Sequence, residues 1–364
     1  MKEIHKLYFL TAAVLILFLA VLFPGGREAK ETDRFILPME ITVKEEPVVT
    51  KIPVELYDLD AVDEGQVIYH TRGGTGYRYG PSIIEYEDGS MDAWFSSPGN
   101  NSTEWDWIRY RHSEDGVKWG NESIVLRPTP GSADRCSVCD PGVIRFNGYY
   151  YLGYTSTSDY SLGGYSNSAF VARSRDPKGP YEKWNGNGWG GYPQPIIRYE
   201  GDPKGWGIGE ISFVICADQL YVYYTYYDYN GGYISLQQAD LSEDWPKTLE
   251  DKGMVLPISS EDSFDFVYDE HLDRFLAFSM KNHLTKVSSL VMYESGNGKT
   301  MFSEAADTKT QIRDYAHSVG IAKSEKGHID SSKEQLVGYA FGPYWGRWSA
   351  VFQGIRIEHD LKYR

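Results

Sequence analysis

The sequence predicts an all-β fold, a five-bladed β-propeller that follows an N-terminal hydrophobic anchor helix. One strand–turn–strand unit recurs along the chain, helical periodicity is scarce, and aromatic residues make up 15% of the sequence. The units begin near residues 81, 141, 211, 264 and 318, so successive starts are 60, 70, 53 and 54 residues apart. Repeats of this length, with several strands in each, are typical of propeller blades.

The second unit is the clearest example of the repeat. Val143–Phe146 is predicted to be a short strand, and Asn147–Gly148 is a strong hairpin signal because both residues tolerate a positive φ. The aromatic run Tyr149–Tyr154 is the expected return strand. Pro141 suits the entry of a strand, since it lacks an N–H group. Asp140 is therefore predicted to lie at the mouth of the innermost strand, where a side chain can point into a cleft.

The N-terminal segment indicates a membrane anchor or a signal peptide. Lys2 and Lys6 precede Leu7–Phe23, which is uncharged. A membrane-spanning helix needs about 20 residues, with a range of about 17–25. The absence of an Ala-x-Ala pattern favours an uncleaved anchor over a cleaved signal. The lysines predict that the N-terminus faces the cytoplasm and that the rest of the chain is extracytoplasmic, either membrane-anchored or secreted. The predicted domains are residues 1–26 for this segment, 27–55 for a linker and 56–364 for the propeller.

The charge of the chain restricts its partners. A net charge of −15 argues against nucleic acid, which needs a basic surface, and against acidic polymers or lipid headgroups held by bulk charge. Neutral oligo- or polysaccharides fit better, because aromatic faces and hydrogen-bonding carboxylates bind them. Most of the aromatic residues are nevertheless expected to pack between blades. We expect a monomer that contacts the membrane only through its N-terminal segment.

Three cysteines leave several alternatives open. Cys136 and Cys139 form a Cys-x-x-Cys pair, and Cys216 stands alone. Inert thiols are one interpretation, and a local disulfide between Cys136 and Cys139 is another. Metal or redox chemistry is a third, although no second cysteine pair accompanies the first.

The strand mouths near the propeller axis are where a functional site is expected. Asp140 and Glu210 take matching positions in adjacent blades, so they are predicted to face one another across a central cleft. Two carboxyl groups in a cleft are what glycoside hydrolysis requires, and their proximity raises the pKa of one of them. The corresponding residues of the remaining blades are Gly80, Asp265 and His317. In the alternative, structural interpretation, Asp140 caps backbone N–H groups and Glu210 pairs with an arginine, with Arg78 and Arg135 as the two candidates.

These features resemble a known group of enzymes. The chain looks like the five-bladed propeller glycosidases of glycoside hydrolase family 43 and its relatives, families 32, 68 and 117. The features that carry the resemblance are the five units, Asp140–Pro141 in the second unit and Gly209–Glu210 in the third. The resemblance covers about residues 60 to 360. It implies that Glu210 is the general acid and that Asp140 tunes its pKa. It also matches His317 to a last-blade histidine near the axis. No cofactor is required, and the resemblance allows a structural calcium ion near His317.

The chain departs from these families in the first blade. An aspartate that acts as base or nucleophile should stand near position 80, where this chain has Gly80. Asp106 and Asp92 are the candidates for a replacement base. Alternatively, the chain binds a glycan without cleaving it. A third alternative is a phosphorylase, which would need convergent cations; Arg78, Arg135 and His317 are the candidates for that role.

Tryptophans in glycine-rich loops are the predicted sugar-binding platforms. Glycine-rich or polar loops contain Trp105, Trp189, Trp206 and Trp345. Of these, Trp189 lies in a run of glycines and Trp206 precedes the strand of Glu210, so these two are the foremost candidates. Aromatic faces stack on sugar rings, and loops carry binding residues more often than core strands do. The sequence therefore predicts a glycoside hydrolase-like protein that cleaves neutral glycans in a central cleft. The competing hypotheses are a non-catalytic glycan-binding propeller and a structural envelope protein.

Overall fold

A computed structural model of the chain describes residues 53–71, 76–101, 103–308 and 312–363. Within these ranges nearly all regular structure is β-strand, and the helical elements are two short 3-10 helices at Tyr160–Leu162 and Trp245–Thr248. The prediction of an all-β fold is confirmed. The predicted N-terminal anchor lies outside the described residues, and no helix inside these ranges has the length and hydrophobicity to span a membrane.

The strands form five units of mainly antiparallel strands, which we call blades. The chain opens with β1 (Pro53–Ala61) and β2 (Gln66–Tyr69). Blade 1 contains β3 (Tyr79–Glu85), β4 (Met91–Asn101), β5 (Glu104–Ser113) and β6 (Ser123–Leu126). Blade 2 contains β7 (Cys139–Phe146), β8 (Tyr149–Ser156), β9 (Ser168–Ser174) and β10 (Glu182–Lys183). Blade 3 contains β11 (Gly207–Cys216), β12 (Gln219–Asp228), β13 (Gly231–Ala239) and β14 (Glu250–Ile258).

The last two blades follow the same order from the inside outwards. Blade 4 contains β15 (Glu261–Asp269), β16 (Arg274–Lys281), β17 (Ser289–Ser295) and β18 (Ser303–Asp307). Blade 5 contains β19 (Ala316–Lys323), β21 (Gln335–Phe341) and β22 (Ser349–Tyr363), and the short β20 (His328–Ile329) pairs with β15. Strand β1 pairs with β22 from Pro53↔Tyr363 to Ala61↔Ile355, so the two ends of the described chain complete blade 5 together.

The blades are arranged as a ring. Their innermost strands, β3, β7, β11, β15 and β19, contact one another in cyclic order, and a hydrophobic core fills each of the five seams between neighbouring blades. Tyr223 stacks on Phe266 across one seam with ring centroids 3.9 Å apart, and Phe95 stacks on Phe352 across another at 5.8 Å. The described strands form several sheets rather than one closed sheet. Blades 5 and 1 share one nine-stranded sheet through the parallel pairing of β19 with β3, at Ala322↔Ile83 and Lys323↔Ile84. Packing between blades contributes to the closure of this propeller-like ring at all five seams.

The innermost strands approach one another very closely. A Cβ atom on Gly142 of β7 would lie 1.8 Å from the carbonyl oxygen of Ile211 in β11, and one on Gly320 would lie equally close, at 1.8 Å, to that of Pro81 in β3. The backbone N–H of Val143 also donates to the Ser82 hydroxyl at 3.0 Å. Only glycine fits at the two closest points, so the ring is narrow and the mouths of its strands converge.

Candidate functional site

Each innermost strand breaks register with its neighbour at the same point. The breaks fall at Tyr79/Ser82, Cys139/Gly142, Gly209/Ser212, Asp262/Phe264 and His317/Gly320. They place one residue of each blade at the centre of the ring: Gly80, Asp140, Glu210, Ser263 and Ser318. Four of these, all except Ser263, have left-handed backbones, with φ of 56°, 51°, 53° and 53°. β-bulges re-aim side chains in this way and are common beside active sites.

Asp140 and Glu210 are held by equivalent contacts. The N–H of Asp140 donates to the Ser96 hydroxyl at 2.8 Å, and the N–H of Glu210 donates to the Thr155 hydroxyl at 3.0 Å. In each case the hydroxyl belongs to the second strand of the preceding blade. Thr225, on the strand paired with that of Glu210, donates its hydroxyl to Oε2 of Glu210 at 2.7 Å. The two carboxylates therefore occupy matching, supported positions in adjacent blades.

The two carboxylates line a cleft with two lobes. The larger lobe has a volume of about 490 Å³ and the smaller about 220 Å³, and Asp140, Glu210, Trp206 and His283 line both. A third cavity of about 30 Å³ lies at the ring centre and is lined by Gly80, Asp140 and Glu210. The larger lobe is within the usual range for small-molecule sites, about 300–1,000 Å³. The carboxylate pair thus stands where the lobes meet.

Asp106 also lines the larger lobe. Tyr77 donates its phenol hydroxyl to Oδ1 of Asp106, and Ser137 donates to Oδ2 at 2.8 Å. Burial raises the pKa of Asp106 above the ordinary value, while the hydrogen bonds from Tyr77 and Ser137 lower it in part. The negative charges of Asp106 and Asp140 both contribute to raising the pKa of the Cys139 thiol, behind the larger effect of burial. The cleft therefore adds Asp106 to the central pair in the larger lobe, as it adds Glu261 in the smaller one.

Asp92, the other candidate for a base, does not line the lobes that the structure describes. Its carboxylate is buried and accepts hydrogen bonds from the hydroxyls of Tyr86 and Tyr110, and it contacts Nδ1 of His112 at 2.8 Å. Gly80 lies against Asp140: a Cβ atom there would be 3.6 Å from Oδ1 of Asp140. A Cβ atom at position 80 would therefore make ordinary contacts, at the position where the resemblance places an aspartate.

Two exposed tryptophans lie on the cleft walls. Trp206 is 46% exposed and packs on Tyr165, with ring centroids 4.8 Å apart. Trp345 is 75% exposed and rests edge-on against the buried Trp348, at 4.9 Å. Trp348 in turn contacts the His317 ring at 4.5 Å. Both exposed rings line the larger lobe, so each offers an aromatic face to a bound molecule.

The remaining predicted site residues have other surroundings. His317 lines the larger lobe and is buried, with Nδ1 3.0 Å from the Ser318 hydroxyl. Of the three cavities, Asp265 lines only the small one at the ring centre. Its carboxylate forms a buried ion pair with Lys323 and accepts a hydrogen bond from the Ser212 hydroxyl at 2.7 Å. The ion pair joins blades 4 and 5, which is a structural contact.

The two predicted arginines and Trp189 are absent from the linings of these cavities. Arg78 forms an ion pair with Glu122 at 2.5 Å, and the guanidinium of Arg135 lies 5.7 Å from the Tyr160 ring centre. Trp189 packs against Trp184 in blade 2, at 5.1 Å. Among the described lining residues there is neither lysine nor arginine, so the cleft is acidic.

The three cysteines are free thiols in the structure, which agrees with the alternative of inert thiols. Burial raises the pKa of Cys139 well above its ordinary value. The described residues contain no group of three or more histidine, cysteine, aspartate or glutamate side chains placed to hold a metal ion. Calcium takes oxygen ligands, whereas the contacts of the His317 ring include the aromatic rings of Tyr79 and Trp348. A calcium ion near His317 stays a prediction.

The residues that sequence reasoning missed and the structure brings into the cleft include Thr225, Asn167 and His283. Trp345 is a candidate from sequence, as a tryptophan in a glycine-rich loop. His283 follows β16 in a polar turn, and nothing in its neighbours along the chain indicates a site.

No protein-family model and no curated protein sequence matches the chain. Solved structures do resemble it. A family 117 glycoside hydrolase of the marine bacterium Zobellia galactanivorans superposes with a TM-score of 0.58 at 16% identity, over 83% of this chain and 90% of that one. An endo-arabinase of Bacteroides thetaiotaomicron gives 0.52 at 17% identity, over 79% and 96%.

An α-L-arabinofuranosidase of Podospora anserina, solved with cellotriose, gives a TM-score of 0.54 at 12% identity, over 83% of this chain and 96% of that one. Identities this low establish a shared fold and nothing finer. The predicted resemblance is confirmed at that level: this chain has the fold of the five-bladed propeller glycosidases.

Proposed function

We propose that the chain is a glycoside hydrolase that cleaves neutral oligo- or polysaccharides in the central cleft. The observation that carries the proposal is the pair Asp140 and Glu210, which share one bulge position in adjacent blades and line both lobes. Glycoside hydrolysis needs one carboxyl group that donates a proton and another that acts as base or nucleophile. A cleft with this pair and aromatic walls suits that chemistry.

In the proposed reaction Glu210 protonates the glycosidic oxygen as the bond to the anomeric carbon breaks. Asp106 accepts the proton of the attacking water, and its raised pKa makes it a stronger base than an ordinary aspartate. Asp140 is the neighbouring carboxylate that tunes the pKa of Glu210. The acidic lining disfavours a phosphorylase, because phosphate needs convergent cations and the described lining contains neither lysine nor arginine.

A glycan-binding protein without catalysis is the second candidate, and Gly80 is the observation that favours it. The two candidates share the cleft and the aromatic walls, so structure-guided binding assays alone do not separate them. Turnover does.

The test is activity of the full chain on 4-nitrophenyl glycosides of neutral sugars and on arabinan, xylan and galactan. On the polysaccharides, whose sugar leaving groups need a proton, Glu210→Gln should lower kcat about a hundred- to ten-thousandfold, the usual effect of losing an acid–base group. On the 4-nitrophenyl glycosides the loss should be smaller, because 4-nitrophenolate leaves without protonation. Glu87→Gln, on an exposed turn, is the matched control and should keep full activity. Absence of turnover together with retention on a glycan affinity gel would support the binding protein instead. Absence of both would leave a structural protein.

A further inference from the structure

His283 lies in the cleft, and neither the sequence patterns nor the proposed reaction gives it a role. It follows β16 in blade 4, and it lines both lobes together with Asp140 and Glu210. The chain has 8 histidines, and His283 and His317 are those that line the described cleft. His317 is buried, whereas His283 is only partly buried.

The tautomer of His283 follows from its contact. Nδ1 lies 3.2 Å from the carbonyl oxygen of Ser260. A carbonyl oxygen only accepts hydrogen bonds, so Nδ1 must carry the proton. In the neutral ring Nε2 is then an acceptor with a free lone pair. Nδ1 makes the one hydrogen bond of this ring that the described residues provide, which leaves Nε2 for a ligand.

The imidazole is held in a fixed position. The carboxylate of Glu261 accepts hydrogen bonds from the N–H groups of Ser259 at 2.8 Å and Ser260 at 2.9 Å, and the Tyr293 hydroxyl donates to it at 2.9 Å. This fixes the carbonyl that receives Nδ1. On the other side, the N–H of Leu284 donates to the Ala316 carbonyl at 3.1 Å. A binding group that is already oriented loses little entropy when a ligand arrives.

We infer that His283 is a substrate-binding residue whose Nε2 accepts a hydrogen bond from a hydroxyl of the sugar residue that contacts Glu210. The inference rests on the proposed function, because it names a further contact of the same site. A sugar presents hydroxyl donors in several directions. Asp140, Glu210 and Glu261 supply carboxyl oxygens on the walls of the smaller lobe, and His283 supplies an imidazole nitrogen.

Two substitutions separate a ligand contact from a structural role. His283→Asn keeps a side-chain N–H near the position of Nδ1, so it retains the bond to Ser260 and loses the atom that faces the cleft. His283→Gln reaches the position of Nε2 with an amide and gives up the bond to Ser260. A ligand contact predicts that the glutamine variant is the more active of the two. A structural role predicts the opposite order and a lower melting temperature for the glutamine variant.

The measurement is kcat and KM on the polysaccharide that the wild-type chain hydrolyses fastest, because its leaving group needs the proton of Glu210. His283→Asn should lower kcat/KM about ten- to a hundredfold, the effect of leaving a sugar hydroxyl without its acceptor. His271→Asn, at an exposed site outside the described cleft lining, should match the wild type. Equal activity of His283→Asn and wild type, with Glu210→Gln inactive, would overturn the inference and spare the proposed function.

Full activity of Glu210→Gln would instead overturn the proposed function and, with it, this inference. If no glycoside is hydrolysed, the same variants are compared for retention on arabinan and xylan affinity gels. Weaker retention of His283→Asn than of His283→Gln then supports the contact. Equal retention, or none, overturns it.

Discussion

Thr225 donates its hydroxyl to Oε2 of Glu210 at 2.7 Å, across the first two strands of blade 3. The bond orients the carboxyl group that we propose as the acid. Thr225→Val keeps the shape of the side chain and removes the hydroxyl. We expect kcat to fall about five- to tenfold with little change in KM, which corresponds to a hydrogen bond of about 1 kcal/mol. Thr225→Ser retains the hydroxyl and should restore most of the rate. Wild-type kinetics in the valine variant would mean that Thr225 does not position the acid.

Asp106 predicts a pH dependence whose direction follows from its contacts. A base acts when deprotonated, so activity falls as the pH drops through its pKa, which burial raises. The Tyr77 hydroxyl lowers that pKa by stabilising the carboxylate. Tyr77→Phe should therefore raise the pKa and move the acidic limb of the kcat/KM profile to higher pH, by about one unit. Tyr86→Phe removes a similar bond to Asp92, outside the described cleft lining, and should leave the limb in place.

The parts of the site that are predictable from sequence are those set by local signals. Asn147 and Gly148 both have positive φ, 51° and 75°, as the two-residue hairpin signal requires. Asp140 and Glu210 precede similar strands, so their equivalence is readable without a structure. The hairpin depends on a few neighbouring residues, and the repeat supplies the equivalence of positions in different blades.

The last blade shows where such reading fails. His317 was aligned with Asp140, but the register break places Ser318 at the shared bulge position, and His317 pairs as Cys139 does, one residue earlier. A bulge shifts the register by one residue, and a shift of one residue turns a side chain to the other face of a strand. Such a break is invisible in a pattern of hydrophobic residues.

His283 could not be assigned to the cleft from sequence, for a different reason. It lies in a turn whose position depends on how whole blades pack. Asp265 likewise takes its partner, Lys323, from another blade. Contacts between residues far apart in the chain carry no local signal, so they emerge only when the ring is assembled.

Trp345 predicts a specific loss of glycan affinity. Its exposed ring is supported by Trp348 and lines the larger lobe. We expect Trp345→Ala to weaken oligosaccharide binding about tenfold, since an aromatic contact contributes about 0.5–1.5 kcal/mol beyond its buried area. Trp189→Ala is the control: Trp189 packs in blade 2 against Trp184, so its removal should lower the free energy of unfolding and leave affinity unchanged. Titration calorimetry in the Glu210→Gln background measures the oligosaccharide affinity of both variants. Equal affinities of the two variants would argue against Trp345 as a sugar-binding platform.

Gly142 predicts how sensitive the ring is to added volume. A methyl group at this position would lie 1.8 Å from the Ile211 carbonyl oxygen. Both residues belong to innermost strands of the ring, β7 and β11. Gly142→Ala should lower the free energy of unfolding by about 3 kcal/mol or more, or prevent folding. Gly188→Ala introduces a methyl group with nothing within 4 Å and should change it by less than about 0.5 kcal/mol. Denaturant unfolding compares the two, and similar midpoints would contradict the close approach.

Gly80 gives the sharpest test of which carboxylate is the base. A side chain there would begin 3.6 Å from Oδ1 of Asp140 and 3.7 Å from the Ser96 hydroxyl, which are ordinary contacts. Its φ of 56° is close to the 51° that Asp140 adopts, so Gly80→Asp should fold with a loss of about 1–2 kcal/mol. If Asp106 is the base, the added charge beside Asp140 brings no benefit, and activity should fall severalfold below that of the uncharged Gly80→Asn. Gly80→Asp could instead be more active than both Gly80→Asn and the wild type. That result would show that Asp106 does not supply the base and that the wild-type chain lacks a base at position 80.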